Sequence, residues 1–231
     1  MTLKLSCFTN LEISTSNTFS QPDIYSVILN PSACVYSAMA KFFSNNSDPE
    51  LNLTNQAYTG DVALNDQLHR DSSFAWLSEQ LSHSLFAYID RNLSSHHNFD
   101  VFCQKSWPVI LKKGNSISPH KHNNAHLSAV YYYSCPSNAG GDIVFTSSSN
   151  YFPSLGSSHQ PKDRFLIGIK PFTNLLLIFP SSITHHVTSY NGAEPRLSVS
   201  FDIFLSASAS SAKNMRENIS TNPLRWTLLK D

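Results

Sequence analysis

The clearest periodic pattern in the chain covers residues 71–93. Apolar side chains recur there at three- and four-residue steps, at Phe74, Leu77, Leu81, Leu85, Tyr88 and Ile89. This spacing puts one apolar stripe on one face and predicts an amphipathic helix that packs on the outside of a sheet. Asp71 or Ser72 can cap its start.

The rest of the N-terminal part carries weaker signals. Asn30 as N-cap and Pro31 at the first helical position predict a helix that continues over Ala33 to Phe43. Residues 44–60 are polar and turn-rich, which predicts a loop. We therefore expect residues 1–99 to form a helical elaboration on one structural domain.

The pattern changes at residue 100 to short β-branched and aromatic runs separated by Gly, Pro, Ser and Asn. The runs are Val101–Leu111, Ser128–Tyr133, Asp142–Thr146, Phe165–Ile169, Leu175–Phe179, His185–Ser189 and Arg196–Phe204. Many short strands of this kind predict a β-sandwich or barrel over residues 100–206, followed by a tail at 207–231. The Ser-rich residues 147–163 predict a mobile loop between two of the strands.

Two histidine clusters stand out within this β-rich part. His120 and His122 are two residues apart, so on an extended segment their imidazoles point the same way and can meet one ion. A surface or loop role for this pair also stays open, because H-x-H alone is a weak signal. His185 and His186 are adjacent and face opposite sides of a strand, so at most one of them joins the same site.

The run after the second cluster alternates strictly. Leu197, Val199, Phe201 and Ile203 share one face, and Arg196, Ser198, Ser200 and Asp202 share the other. The polar face has two interpretations, solvent or a polar pocket. In a pocket, Arg196 would bind a carboxylate through its bidentate fork and Ser198 would add a hydroxyl.

Composition narrows the possible partners and the location. Among 231 residues, 16 Lys and Arg balance 16 Asp and Glu, and we find no basic stripe, which argues against nucleic acid. No apolar run approaches the roughly 18 residues of a membrane span, and the N-terminus does not resemble a signal peptide. The four cysteines are widely spaced without a C-x-x-C pair, which favours reduced thiols and a cytoplasmic location.

Taken in order, these motifs resemble the Fe(II)- and 2-oxoglutarate-dependent oxygenase superfamily. They are Trp107, the H-x-H pair, Ser128–Tyr132, Gly140–Phe145, Phe179-Pro-Ser-x-Ile-x-His185-x-Val187, and Arg196-x-Ser198-x-Ser200-Phe201. The most similar group is the set of such oxygenases found in bacteria and phages, which is related in pattern to the prolyl hydroxylases. The resemblance covers roughly residues 100–204.

The resemblance implies a mainly β fold with flanking α-helices, a double-stranded β-helix of the jelly-roll or cupin-like kind. It implies a dioxygenase that uses Fe(II), 2-oxoglutarate and dioxygen to hydroxylate a substrate, either a protein side chain or a small metabolite. The loop at 147–163 would be a candidate substrate lid.

The resemblance also assigns site residues. His120 is the first metal ligand and His185 the distal one. Arg196 takes the distal carboxylate of 2-oxoglutarate. Tyr132 matches a co-substrate-binding tyrosine of the prolyl hydroxylases, and Ser198 is a further candidate for the same role.

Two positions depart from the superfamily pattern. His122 stands where Asp or Glu is usual, and we interpret it as the third ligand; water or a carboxylate, Asp142 or Asp202, is the alternative. Three histidines also suit Zn(II) and Cu(II), and the same set occurs in cupin-type thiol dioxygenases that do not use 2-oxoglutarate. An oxygenase of that type and a non-enzymatic metal-binding module are therefore the rival functions. Ser182 replaces an expected aromatic residue.

Several conspicuous residues are expected to lie outside the chemistry. Trp107 is predicted to be part of the core. Tyr131 and Tyr133 should pack under the outer helices, on the face opposite Tyr132. His126 and His186 are predicted to lie outside the metal site.

Overall fold

The computed structural model describes residues 23–45, 57–61, 65–92, 99–146 and 166–207. The predicted loop and lid at 147–163 and the tail from residue 208 onward lie outside the described residues. No described helix is long and apolar enough to cross a membrane. The three described cysteines, Cys34, Cys103 and Cys135, are free thiols.

Both predicted helices are present. Helix α1 runs over Ala33–Asn45 and helix α2 over Ala75–Asn92. Asp71 caps a single 3-10 turn, Ser72–Phe74, by accepting a hydrogen bond from the Ser73 N–H at 2.7 Å, and this turn leads directly into α2. The predicted apolar stripe is buried along α2, as its spacing requires.

The described residues contain ten strands in two antiparallel sheets. The strands are β1 (Tyr25–Ile28), β2 (Tyr58–Thr59), β3 (Phe99–Leu111), β4 (Ile117–His120), β5 (Leu127–Ser134), β6 (Ile143–Thr146), β7 (Leu166–Ile169), β8 (Leu175–Pro180), β9 (Thr184–Val187) and β10 (Arg196–Ala207). One sheet has the order β1-β8-β5-β10-β3-β2 and the other β4-β9-β6-β7. The mainly β fold with flanking helices is thereby confirmed.

Three of these strands were not predicted from the sequence. Strand β2 falls within the expected loop at 44–60 and pairs with β3 through only two residues. Strand β1 pairs with β8, and β4, which contains Pro119, pairs with β9. All three are short and depend on a distant partner strand, so their own sequences carry little periodic signal.

The six-stranded sheet separates two apolar layers. Its outer face packs against both helices through residues such as Tyr131, Tyr133 and Leu176. Its inner face packs against the smaller sheet through Tyr132 and Leu177, among others. Alternate residues of β5 and β8 therefore face different layers, as predicted for the three consecutive tyrosines.

The polar face of β10 lies between the two sheets. Arg196 is 2% exposed and Ser198 is 1% exposed, so this face lines a pocket and does not meet bulk solvent. The smaller sheet covers it, which the alternation of β10 alone cannot indicate.

Candidate metal centre

Two of the predicted ligands lie on paired strands. His120 ends β4 and His185 lies in β9, and the two residues are direct register partners. Their ring centroids are 4.3 Å apart. The smaller sheet therefore fixes the position of both imidazoles through its backbone hydrogen bonds.

The third histidine lies just beyond the strand. His122 follows the end of β4, so only His120 of the H-x-H pair lies within the strand. The His122 N–H donates to the Ser181 carbonyl at 3.0 Å, which ties this loop to the turn before β9. As a result, the ligand nitrogens of His120, His122 and His185 all lie within 4.8 Å of one another.

Hydrogen bonds at Nδ1 leave one free nitrogen on each ring. His120 Nδ1 lies 2.9 Å from the Ser118 carbonyl oxygen, and His185 Nδ1 lies 3.0 Å from the Ile183 carbonyl oxygen. A carbonyl oxygen only accepts hydrogen bonds, so Nδ1 must carry the proton and Nε2 keeps its lone pair. His122 Nδ1 instead lies 2.8 Å from Asp202 Oδ1. All three rings can therefore offer Nε2 to an ion.

Burial keeps two of these imidazoles neutral. Desolvation lowers the pKa of His120, and it lowers the pKa of His185 from 6.5 to about 3, with the neighbouring His120 adding to the effect. Neutral imidazole is the form that binds a metal. The donor set therefore fits a divalent transition metal such as Fe(II) at neutral pH.

A hydrogen-bonded network lies behind His122. Ser128 Oγ donates to Asp202 Oδ1 at 3.4 Å, and Ser128 and Ser181 share a hydrogen bond of 2.8 Å. Asp202 thus contacts Nδ1 of the His122 ring and is not part of the three-residue ligand group. Asp142, the other carboxylate considered, is not part of that group either.

A cavity of about 160 Å³ connects the histidines to Arg196. Arg196 Nη1 donates to the Gly141 carbonyl, and its guanidinium lies 5.2 Å from the centroid of the Tyr132 ring. Its Nε is buried without a hydrogen-bond partner. Among the described residues, no carboxylate forms an ion pair with Arg196. A buried cation of this kind is suited to an anionic ligand in the cavity.

Tyr132 and Ser198 lie beside this cation. They are register partners on β5 and β10, and both line the cavity. Burial raises the pKa of Tyr132 to about 12, so its hydroxyl stays protonated and can donate. Ser198 Oγ donates to the Val109 carbonyl at 3.4 Å, a long contact that a ligand oxygen could replace.

Sequence reasoning missed residues from the N-terminal part. Thr59 and Asp61, at and just after β2, line the same cavity, and Asp61 Oδ1 is buried without a hydrogen-bond partner. No motif marks either residue. The sequence suggested Asp202 only as an alternative metal ligand, although the alternation of β10 places it on the face that carries Arg196.

The remaining conspicuous residues lie where expected, with one addition. His126 is exposed, and its Nδ1 accepts from the Leu205 N–H at 2.9 Å, away from the cavity. His186 pairs with Val144 on the side of β9 opposite His185. Trp107 is buried in an apolar cluster as predicted, and it also stacks on His122 with ring centroids 5.8 Å apart.

Residues 105–202 match a protein-family model described as "Putative 2OG-Fe(II) oxygenase". A search of curated proteins gave no match.

Several solved structures share the fold. A prolyl hydroxylase from Trichoplax adhaerens, in complex with a hypoxia inducible factor peptide fragment, is 13% identical with a TM-score of 0.53, covering 78% of this chain and 83% of that one. Iron-bound HygX from Streptomyces hygroscopicus is 12% identical with a TM-score of 0.52, covering 79% and 82%. A Pseudomonas putida prolyl-4-hydroxylase is 15% identical with a TM-score of 0.50, covering 78% and 92%. At such identities the likeness concerns the fold alone.

Proposed function

We propose that this chain, whose residues 105–202 match the family model of 2-oxoglutarate- and Fe(II)-dependent oxygenases, is a dioxygenase that hydroxylates a substrate bound over the three histidines. His120, His122 and His185 would hold Fe(II) through their Nε2 atoms. Arg196, Tyr132 and Ser198 would hold 2-oxoglutarate. A protein side chain or a small metabolite would then be the substrate.

The buried guanidinium of Arg196 is the observation that carries this proposal. Three histidines alone would also suit an oxygenase that needs no 2-oxoglutarate, or a module that only binds metal. A 2% exposed Arg whose Nε has no partner favours an anionic ligand, because an uncompensated buried charge is costly. That ligand would share the cavity of the histidines, as the distal carboxylate of a metal-bound 2-oxo acid must.

The bound metal and 2-oxoglutarate supply the chemistry: dioxygen oxidises 2-oxoglutarate to succinate and carbon dioxide, and one oxygen atom enters a substrate C–H bond. This chain contributes position and polarity. Arg196 orients the co-substrate by binding its far carboxylate. The protonated Tyr132 hydroxyl donates to the same group, and the apolar clusters around the cavity limit access of water.

The test uses visible absorption of metal-free protein under exclusion of oxygen. Fe(II) and 2-oxoglutarate together should give a weak metal-to-ligand charge-transfer band that neither gives alone. Arg196→Met and His185→Ala should abolish the band, whereas His126→Ala, an exposed histidine of the same cluster, should keep it. With substrate absent, slow formation of succinate in air should follow the same pattern.

Two outcomes would contradict the proposal and identify a rival. If Fe(II) binds to the histidines but no band appears with 2-oxoglutarate, a three-histidine oxygenase independent of 2-oxoglutarate becomes the better description. Arg196 would then bind the substrate itself. If the protein retains Zn(II) tightly and never responds to 2-oxoglutarate or dioxygen, a non-enzymatic metal-binding module is favoured.

A further inference from the structure

Asp202 is the one carboxylate in contact with a predicted metal ligand among the described residues. Its Oδ1 lies 2.8 Å from Nδ1 of His122, and the two side chains are 13% and 17% exposed. It projects from the polar face of β10, six residues after Arg196 and on the same side of the strand. This contact is partly shielded from solvent, so water screens the interaction between the Asp202 carboxylate and the His122 ring less than it would at the surface.

The acceptor at Nδ1 distinguishes His122 from the other two histidines. His120 and His185 donate to neutral backbone carbonyls, whereas His122 donates to a carboxylate. A hydrogen bond to an ionised acceptor is shorter and roughly twice as strong as a neutral one. It also fixes the ring orientation and makes the opposite nitrogen a more basic ligand.

We propose that Asp202 is a positioning residue that supplies, through the His122 ring, the negative charge that a ligating carboxylate would otherwise place directly on the metal. This inference rests on the proposed function. Three neutral imidazoles leave a divalent metal with its full charge. A carboxylate one ring away offsets part of that charge and holds Nε2 of His122 toward the other two ligands.

The surroundings of Asp202 hold its carboxylate in place. Ser128 donates to the same Oδ1 and is itself hydrogen-bonded to Ser181, which lies in the turn that binds the His122 backbone. The β3–β10 register shifts between Asp202 and Ile203, so that Gln104 has no partner on β10. The extra residue of this bulge lies on β3, and bulges are over-represented next to functional sites.

The experiment is a double-mutant cycle read by metal affinity alone, without 2-oxoglutarate. Anaerobic Fe(II) affinity is measured by chelator competition for wild type, Asp202→Asn, His122→Asp and the double variant. Asp202→Asn should weaken Fe(II) binding by about 10- to 100-fold in the wild-type background. In the His122→Asp background it should cause no loss, because no imidazole remains for Asp202 to orient and the two carboxylates repel each other. Asp100→Asn, a charge-matched change near the far end of the β3–β10 pair, should bind as wild type does.

Each outcome separates this inference from the proposed function. If wild type binds no Fe(II), the proposed function fails. If wild type binds and Asp202→Asn binds equally well, only the role of Asp202 is refuted. An equal loss in both backgrounds would also refute it, because Asp202 would then act through general charge or folding.

A second measurement uses only the wild-type protein, so its result does not depend on whether a variant folds. In the Co(II)-loaded protein, each histidine that binds through Nε2 carries an Nδ1–H proton that exchanges with solvent and is shifted by the metal. Three such proton resonances are expected. If the resonances of His120 and His185 are present and that of His122 is missing, His122 does not bind through the nitrogen opposite Asp202, and the inference is overturned.

Discussion

Replacing Arg196 with Met is expected to weaken 2-oxoglutarate binding strongly and to change the stability of the folded protein very little. Met has a similar length, carries no charge and can fill much of the space. Arg196 is 2% exposed, and no carboxylate among the described residues forms an ion pair with it. We therefore expect the variant to lose 2-oxoglutarate while the metal-free protein stays about as stable as wild type.

The magnitude follows from the contacts of the guanidinium. The variant loses one charged hydrogen bond, to the Gly141 carbonyl, worth about 1.5–3 kcal/mol, and a cation–π contact with Tyr132 worth about 1 kcal/mol. It also removes a buried charge whose desolvation costs several kcal/mol. These effects nearly cancel, so the free energy of unfolding should fall by no more than about 1 kcal/mol. In contrast, loss of a buried charge pair with the ligand carboxylate costs about 2–5 kcal/mol, or about 30- to 5,000-fold in affinity.

Two assays test the expected stability and the expected loss of 2-oxoglutarate affinity separately. Urea unfolding of the metal-free variant reports stability, and anaerobic titration of the Fe(II)-loaded variant with 2-oxoglutarate reports affinity. Arg196→Lys is the matched control: it keeps the charge but not the fork, and should bind 2-oxoglutarate with an intermediate affinity. A loss of 3 kcal/mol or more in stability with unchanged 2-oxoglutarate affinity would show that Arg196 serves the core, and would refute the reasoning.

Three further outcomes are expected. Tyr132→Phe should weaken 2-oxoglutarate binding about 3- to 10-fold in the same titration, with melting temperature unchanged, because Tyr132 lines the cavity and the change removes only its hydroxyl. The metal-free protein should lose stability as pH falls from about 6.5 toward 3, by up to about 1.4 kcal/mol per pH unit. The reason is that His185 becomes protonated in the unfolded chain, whereas burial lowers its pKa in the folded protein to about 3. Urea unfolding across this pH range should show the loss, and His185→Asn should make it smaller. Leu77→Ala, at a fully buried position on the inner face of α2, should lower the free energy of unfolding by about 2–5 kcal/mol and leave Fe(II) affinity unchanged.

The sequence predicted correctly which side chains share one face of a strand, but it could not predict what covers that face. The alternation along β10 correctly grouped Arg196 with Ser198, but it left open whether their face meets solvent or lines a pocket. Alternation is a local property, whereas the cover over this face comes from a second sheet whose strands are distant in the chain. The three short strands were missed for the same reason, since each is defined by its partner.

The histidines illustrate the same limit at the site. The motif order singled out His120, His122 and His185, and the structure brings all three together. The spacing of the H-x-H pair could not indicate that the Ser181 carbonyl accepts from the His122 N–H and holds this part of the chain. That contact joins residues 59 positions apart, and no local pattern encodes it. Asp61 was missed because it lies in a segment with neither motif nor periodicity.

The polar face of β10 arranges opposite charges along one strand. Arg196 stands at its start and Asp202 six residues later, with only Ser198 and Ser200 between them on that face. In the proposed function the metal, a cation, lies toward Asp202 and the carboxylate of the co-substrate lies toward Arg196. A strand of alternating residues can place both charges only if its register is fixed, because a slip by one residue would turn all four side chains into the helix-covered core. Long pairing with both β3 and β5 fixes that register, so the same contacts that stabilise the sheet also set the polarity of the site.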